Sequence, residues 1–198
     1  MKKFRIAAIL MAAALAVIPS TGCRCNSTKK SSSSGAAGSG YAGLEDVGTN
    51  TKNVKLGEEA VLNDTAYTLN KVIDSGYSQD GEKYIYLDVT IKNQSDADFE
   101  ANALNNFYLT LADKSEITPH VKADQYGKKS VSGYEHLSGI PAGGEFSNYI
   151  GFCVPEGTDS FTVGFFATGS DINNKENAVF CEISSSDITS APDGFING

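Results

Sequence analysis

Eight residues with chemical potential crowd into one stretch. His120, Asp124, Tyr126, Lys128, Lys129, Tyr134, Glu135 and His136 all fall between residues 120 and 140. Imidazoles ligate metals, but His120 and His136 lack a third ligand and a spacing that a helix or strand would fix, so no metal is expected. As the longest segment without strand alternation, the stretch offers a binding loop whose contact residues are His120, Tyr126, Tyr134 and His136. The alternative is a solvated crossover between sheets. Asp74, Asp80 and Glu82 cluster around Gly76 and Gly81 and carry the oxygen ligands that calcium prefers. The twelve-position calcium-loop pattern is absent, which favours a solvated hairpin. A serine nucleophile would need a base and an orienting acid; no Gly-x-Ser-x-Gly elbow occurs, and both histidines lie in one segment. These residues predict no enzyme, no cofactor and no metal.

Composition narrows the partners. Lys and Arg number 16 against 24 Asp and Glu, for a net charge of −8. Setting aside Lys2, Lys3 and Arg5 of the leader described next leaves 13 against 24, or −11. Nucleic acid needs a basic footprint, and an anionic membrane surface needs the same, so neither is an electrostatic partner.

Residues 1–5 are basic and residues 6–18 form a 13-residue run with no polar side chain. That run is short of the ~20 residues a helix needs to cross a bilayer and reads as a secretory signal. The segment ending it, Ser20-Thr21-Gly22-Cys23, resembles a bacterial lipobox, with Ser20 where Leu is usual. The resemblance implies cleavage between Gly22 and Cys23, a diacylglycerol on the Cys23 thiol and a fatty acyl group such as palmitate on its amine. Two or more chains anchor stably where one does not. The protein is therefore expected on the extracytoplasmic face of the cell membrane, held by a covalent lipid. Residues 26–43 contain ten Ser or Gly in eighteen positions, a flexible coil with no core-forming period. From Arg24 to Lys52 such a tether has an r.m.s. reach of roughly 30 Å.

Beyond the tether the hydrophobic period is two. Ile85, Leu87, Val89 and Ile91 share one face, and Tyr84 and Tyr86 the other. Phe107, Leu109 and Leu111 alternate with Tyr108. Phe146, Ile150, Phe152 and Val154 share a parity, as do Phe161, Val163 and Phe165, then Val179, Cys181 and Ile183. Tyr67, Leu69 and Ile73 form a weaker set, and residues 101–106 allow one helical turn at most. Turn signals lie between these runs, at Asp80-Gly81, residues 93–98, 141–144 and 155–157. The pattern predicts an all-β fold: an immunoglobulin-like antiparallel β-sandwich of about 7–9 strands. The organisation expected is 1–22 signal peptide, 23–52 tether, 53–184 sandwich and 185–198 loose tail. Tyr84, Tyr86 and Tyr108 are expected to stand exposed on outer faces, as a partner or glycan patch or as cross-strand pairs. With Cys23 lipidated, Cys153 and Cys181 are the natural disulfide candidates in an exported chain. Parity points Cys153 outward and Cys181 inward, a geometry that would not close unless a bulge reversed one of them.

Four pieces in order carry a wider resemblance: Tyr67-Thr-Leu-Asn-Lys-Val72; Lys83-Tyr-Ile-Tyr-Leu-Asp-Val-Thr-Ile-Lys-Asn93-Gln-Ser95; Phe107-Tyr-Leu-Thr-Leu-Ala-Asp113; and Ile140-Pro-Ala-Gly-Gly144 followed by Gly151-Phe-Cys-Val-Pro155. Together they are similar to a family of extracellular, immunoglobulin-like bacterial lipoprotein domains of unknown function. The resemblance implies a secreted-antigen-like sandwich with no enzyme activity and no functional residue to carry over. The expected role is a non-catalytic binding or interaction module of the cell envelope, with an envelope protein or glycan as partner. A structural or immunogenic surface lipoprotein without a ligand is the alternative, and an envelope enzyme or enzyme accessory a third.

Overall fold

A computed structural model describes residues 50–167 and 176–197. The lipobox, Gly22, Cys23 and Cys25 lie outside the described residues. One sheet runs in the order β1 (Lys52–Val54), β11 (Ala178–Ile183), β10 (Phe161–Phe166), β6 (Phe107–Leu111), β7 (Glu116–Ile117). The other runs β12 (Ile188–Ser190), β3 (Thr65–Gln79), β4 (Glu82–Asn93), β9 (Glu145–Pro155). β2 (Glu59–Leu62) shares the outer edge of β3 with β12: β2 pairs residues 65–68 and β12 pairs residues 72–74. β5 (Phe99–Asn102) and β8 (Ser138–Ile140) form a small third ribbon, and the single helical turn α1 (Ala103–Asn106) follows β5. The all-β sandwich expectation holds, and eight strands of the described residues run four residues or longer. Two edge pairings, β1 with β11 and β12 with β3, are parallel.

Alternation explains the core. Leu87, Val89 and Ile91 of β4 face Phe165, Val163 and Leu109 of the opposite sheet, and all are buried with Phe107, Phe152 and Cys181. Fully burying one such side chain stabilises by about 1.5–3 kcal/mol. One parity reading needs correction. The register of β3 skips Asn70, a bulge between Leu69 and Lys71. Past it Val72 takes the inward place and Ile73 turns to the outer face, because one extra residue reverses every following side chain. Asn70 settles the bulge by donating to Asp88 and Thr90 at 3.0 Å each.

The turn after β4 is built as its residues suggest. Asn93 is buried, its amide reaching the carbonyls of Ala97, Ile140 and Pro141, while its oxygen accepts from Ser95. Pro155, which lacks a ladder donor, closes β9.

Two expectations fail, for one physical reason: the outer faces are buried. Tyr84, Tyr86 and Tyr108 do point outward, but they are 2%, 0% and 6% exposed. Helix α2 (Val121–Ser130) and the C-terminal segment cover Tyr84 and Tyr86, in a second apolar cluster with Ile73, Ala123, Val131 and Phe195. Tyr108 is buried by cross-strand packing with Phe166 and Phe180 on the same face of its own sheet, with ring centroids at 5.2 and 6.3 Å, which is the cross-strand alternative. The segment from residue 185 on is not a loose tail: it forms a 3-10 turn, adds β12 to the sheet and buries Phe195. Cys153 and Cys181, the disulfide candidates, are not bonded. Both thiols are free and buried, Cys153 in the outer cluster and Cys181 in the inner core, as their parity requires.

Candidate functional site

The stretch read as a binding loop is largely a helix. His120 opens it in extended geometry, its Nδ1 accepting the Lys122 amide at 3.1 Å. This is an N-cap role that Ser, Asp or Asn fill more often. Ala123 packs against the sheet fully buried, and its carbonyl accepts the Tyr86 hydroxyl at 2.7 Å. Gly127 sits mid-helix, where glycine costs up to ~1 kcal/mol against Ala. The cause is the Tyr134 ring, which would lie 2.6 Å from a Cβ there.

Asp124 is the hub of the segment. Its Oδ1 accepts the Tyr134 hydroxyl at 3.0 Å and meets His136 Nδ1 at 2.9 Å, while Oδ2 accepts Lys128 at 2.7 Å. Burial pushes the Asp124 pKa up, but hydrogen bonds from Lys128, His136 and Tyr134 outweigh it and hold the carboxyl below its ordinary value. Burial, then the Asp124 carboxylate, raises the Tyr134 phenol, so it stays protonated and donating at neutral pH. The hub therefore fixes the turn after α2 to the helix. Among the described residues no serine, threonine or cysteine is hydrogen-bonded to His136.

Beside the hub, Tyr126 stacks on Tyr77 at 4.5 Å, and Tyr84 meets both rings edge-on. The acids considered for calcium are already paired. Asp74 binds Lys83, and Lys122 of α2 reaches Asp80 and Glu82 at 3.7 and 3.9 Å. Among the described residues no group of three His, Cys, Asp or Glu is arranged to hold a metal.

A polar cleft of about 590 Å³ opens where β3, β4, the turn after β9 and the β12 segment meet. Asp74, Lys83, Thr158, Asp159, Ser185 and Ser190 line it. Asp74 Oδ1 accepts the Gly76 amide at 2.9 Å and Oδ2 accepts Lys83 at 3.1 Å. The Lys83 side chain is only 19% exposed. Its ammonium carries three donors, yet Asp74 is its one acceptor among the described residues. The remaining donors are available to the cleft.

Tyr134 and His136 are thus brought together on Asp124 of α2, Tyr126 packs instead on Tyr77 and Tyr84, and His120 is used up in capping the helix. None of the four lines the cleft. Sequence reasoning missed Tyr77, Lys83 and the Ser185–Ser190 wall. The signal for Lys83 was faint, a charged residue opening the strongest strand; the wall was hidden by its turn-rich composition.

These features define an all-β sandwich whose outer faces are covered and whose sheet end carries a polar cleft. The chain belongs to the family described as a domain of unknown function (DUF4352), which matches residues 54–176. No curated protein matches the chain. Among solved structures it is similar to the yjhA protein of Bacillus subtilis, at 16% identity and a TM-score of 0.47, covering 65% of this chain and 97% of that one. It is similar to a secreted protein of Mycobacterium tuberculosis at 17% identity and a TM-score of 0.47, covering 68% and 98%. A third is a candidate lipoprotein of Bacillus subtilis, ycdA, at 17% identity and a TM-score of 0.46; 65% of this chain aligns, spanning 39% of that one. Among the described residues no helix is long and apolar enough to cross a membrane.

Proposed function

We propose that the protein is a lipid-anchored, extracytoplasmic, non-catalytic binding domain of the cell envelope, with the polar cleft as its ligand site and a neutral, hydroxyl-rich glycan as its ligand. The anchor rests on the lipobox ending at Cys23 and on the Ser/Gly tether behind it. The binding role rests on one observation: a half-buried Lys83 side chain whose ammonium has a single acceptor among the described residues, on the wall of an open cleft. The ammonium has donors to spare for the cleft, and a ligand oxygen would take one up. One ammonium stands against the two carboxylates of Asp74 and Asp159, which disfavours a polyanion. The Ser and Thr hydroxyls both donate and accept, matching sugar hydroxyls.

The test titrates neutral oligosaccharides released from the cell wall into the chain from residue 24 onward, followed by calorimetry. Saturable binding that Lys83→Ala weakens about tenfold or more is expected, the scale of a lost charged hydrogen bond. Absence of saturable binding, or binding indifferent to Lys83→Ala and Asp159→Ala, would leave a surface lipoprotein without a ligand in this cleft. Intact mass of the membrane-extracted protein tests the anchor separately. A chain beginning at Cys23 and carrying diacylglycerol and acyl mass is expected; an unmodified chain refutes it.

A further inference from the structure

Tyr77 and Tyr126 lie face to face, ring centroids 4.5 Å apart and planes 21° from parallel. They belong to different elements, β3 and α2. Tyr77 is 37% exposed and Tyr126 partly exposed. The other tyrosine pairs among the described residues meet edge-on: Tyr77–Tyr84 at 71°, Tyr84–Tyr126 at 89° and Tyr86–Tyr134 at 81°. Tyr84, Tyr86 and Tyr134 are also held in the covered layer. A packing contact alone accounts for two rings touching. It does not require the stacked pair to be the one that reaches solvent.

We infer that Tyr77 and Tyr126 form an oxidative cross-linking site, at which a haem peroxidase using hydrogen peroxide joins them as dityrosine and staples α2 to β3. Each phenol loses one electron and one proton to give a phenoxyl radical. The two radicals couple through ring carbons ortho to their oxygens, forming one C–C bond. The hydrogens on the joined carbons then move to the oxygens and restore both rings. The two electrons and two protons removed reduce one hydrogen peroxide to two waters. Exposure of Tyr77 admits the oxidant, and stacking places the second phenol within a small tilt of the first. Export, as proposed above, would take the chain away from cytosolic reductants, but the cross-link can be tested without it.

The test treats the full secreted chain with haem peroxidase and hydrogen peroxide, isolates monomer, and digests it with trypsin. The expected product joins peptide 72–83 to peptide 123–128 with the loss of two hydrogens, and shows dityrosine fluorescence. Tyr77→Phe and Tyr126→Phe should each abolish that peptide, and Tyr84→Phe should leave it. The closed loop should raise Tm by ~5 °C. Monomer that lacks the linked peptide, a linked peptide that survives Tyr77→Phe, or linked protein with unchanged Tm would each overturn the inference.

Discussion

Tyr67 lies in the inner core, 1% exposed, stacked on Phe165 at 4.3 Å and edge-on to Phe107 at 6.0 Å. Its hydroxyl is buried without a hydrogen-bond partner among the described residues. Burial first, and then neighbouring Cys181, push the phenol pKa well above its ordinary value. Tyr67→Phe keeps the ring and both aromatic contacts and removes only the oxygen. A buried unpaired hydroxyl forfeits about 1–3 kcal/mol of hydration that the unfolded chain recovers. The gap left by one oxygen, on the order of 10–15 Å³, returns only ~0.3 kcal/mol of that as a cavity cost. The variant is therefore expected to be more stable by about 1 kcal/mol, with Tm higher by ~3 °C for a domain of this size. Urea unfolding followed by circular dichroism reads it directly: the midpoint should rise with the slope unchanged. A loss of stability would refute the reasoning, because it would mean that a partner, most simply a buried water, satisfies the hydroxyl.

Gly164→Ala should destabilise by ~2 kcal/mol, by overpacking, because a Cβ there meets Tyr108 ring carbons at 2.3 and 2.4 Å and that ring is held by Phe166 and Phe180; chemical denaturation checks it. Phe195→Ala should cost about 3 kcal/mol and expose the Tyr86 layer it covers, seen as faster amide exchange in residues 185–197. Asp124 has a lowered pKa in the fold, so its contribution is full above the unfolded value near 3.8 and fades as pH falls through the lower folded value. Thermal melts down to pH 2 should therefore show a smaller acid loss in Asp124→Asn than in the native chain. Cys181, raised to about 11 by burial and then by nearby Asp187, Glu182 and Glu58, and Cys153, raised by burial and Glu82, should resist alkylation at pH 8 until the chain unfolds.

The sandwich was legible because its strands are strictly two-faced. Ile85, Leu87, Val89 and Ile91 can be buried together in only one way, and period two says so before any neighbour is known. The opposed placement of Cys153 and Cys181 follows from the same rule. Alternation does not report an extra residue in one strand of the ladder. Nothing at Asn70 marks a bulge, so Ile73 was assigned to the wrong face while Val72 filled the core.

The covered outer faces were illegible for a different reason. Period two distinguishes one face from the other, but it does not say which face meets water. Tyr84, Tyr86 and Tyr108 carry polar tips on large apolar bodies, and such residues suit either a wet surface or a covered one. What decides is the covering element, and α2 conceals itself. Its sequence, Val121-Lys-Ala-Asp-Gln-Tyr-Gly-Lys-Lys-Ser130, holds a glycine mid-helix, a histidine cap and buried contacts made by only Ala123 and Gly127. Its stability comes from outside itself: from the Tyr86 hydroxyl on the Ala123 carbonyl, from Tyr134 seated over Gly127, and from Asp124 gathering Tyr134, His136 and Lys128. Most helix stability in proteins is of this tertiary kind, and no local window records it. The same layer that hid the helix moved the chemistry. With His120 capping, Asp124 occupied and the acids of the β3–β4 hairpin paired, the cleft where the sheet end meets the docked C-terminal segment keeps one half-buried cation, Lys83, with Asp74 as its one acceptor among the described residues.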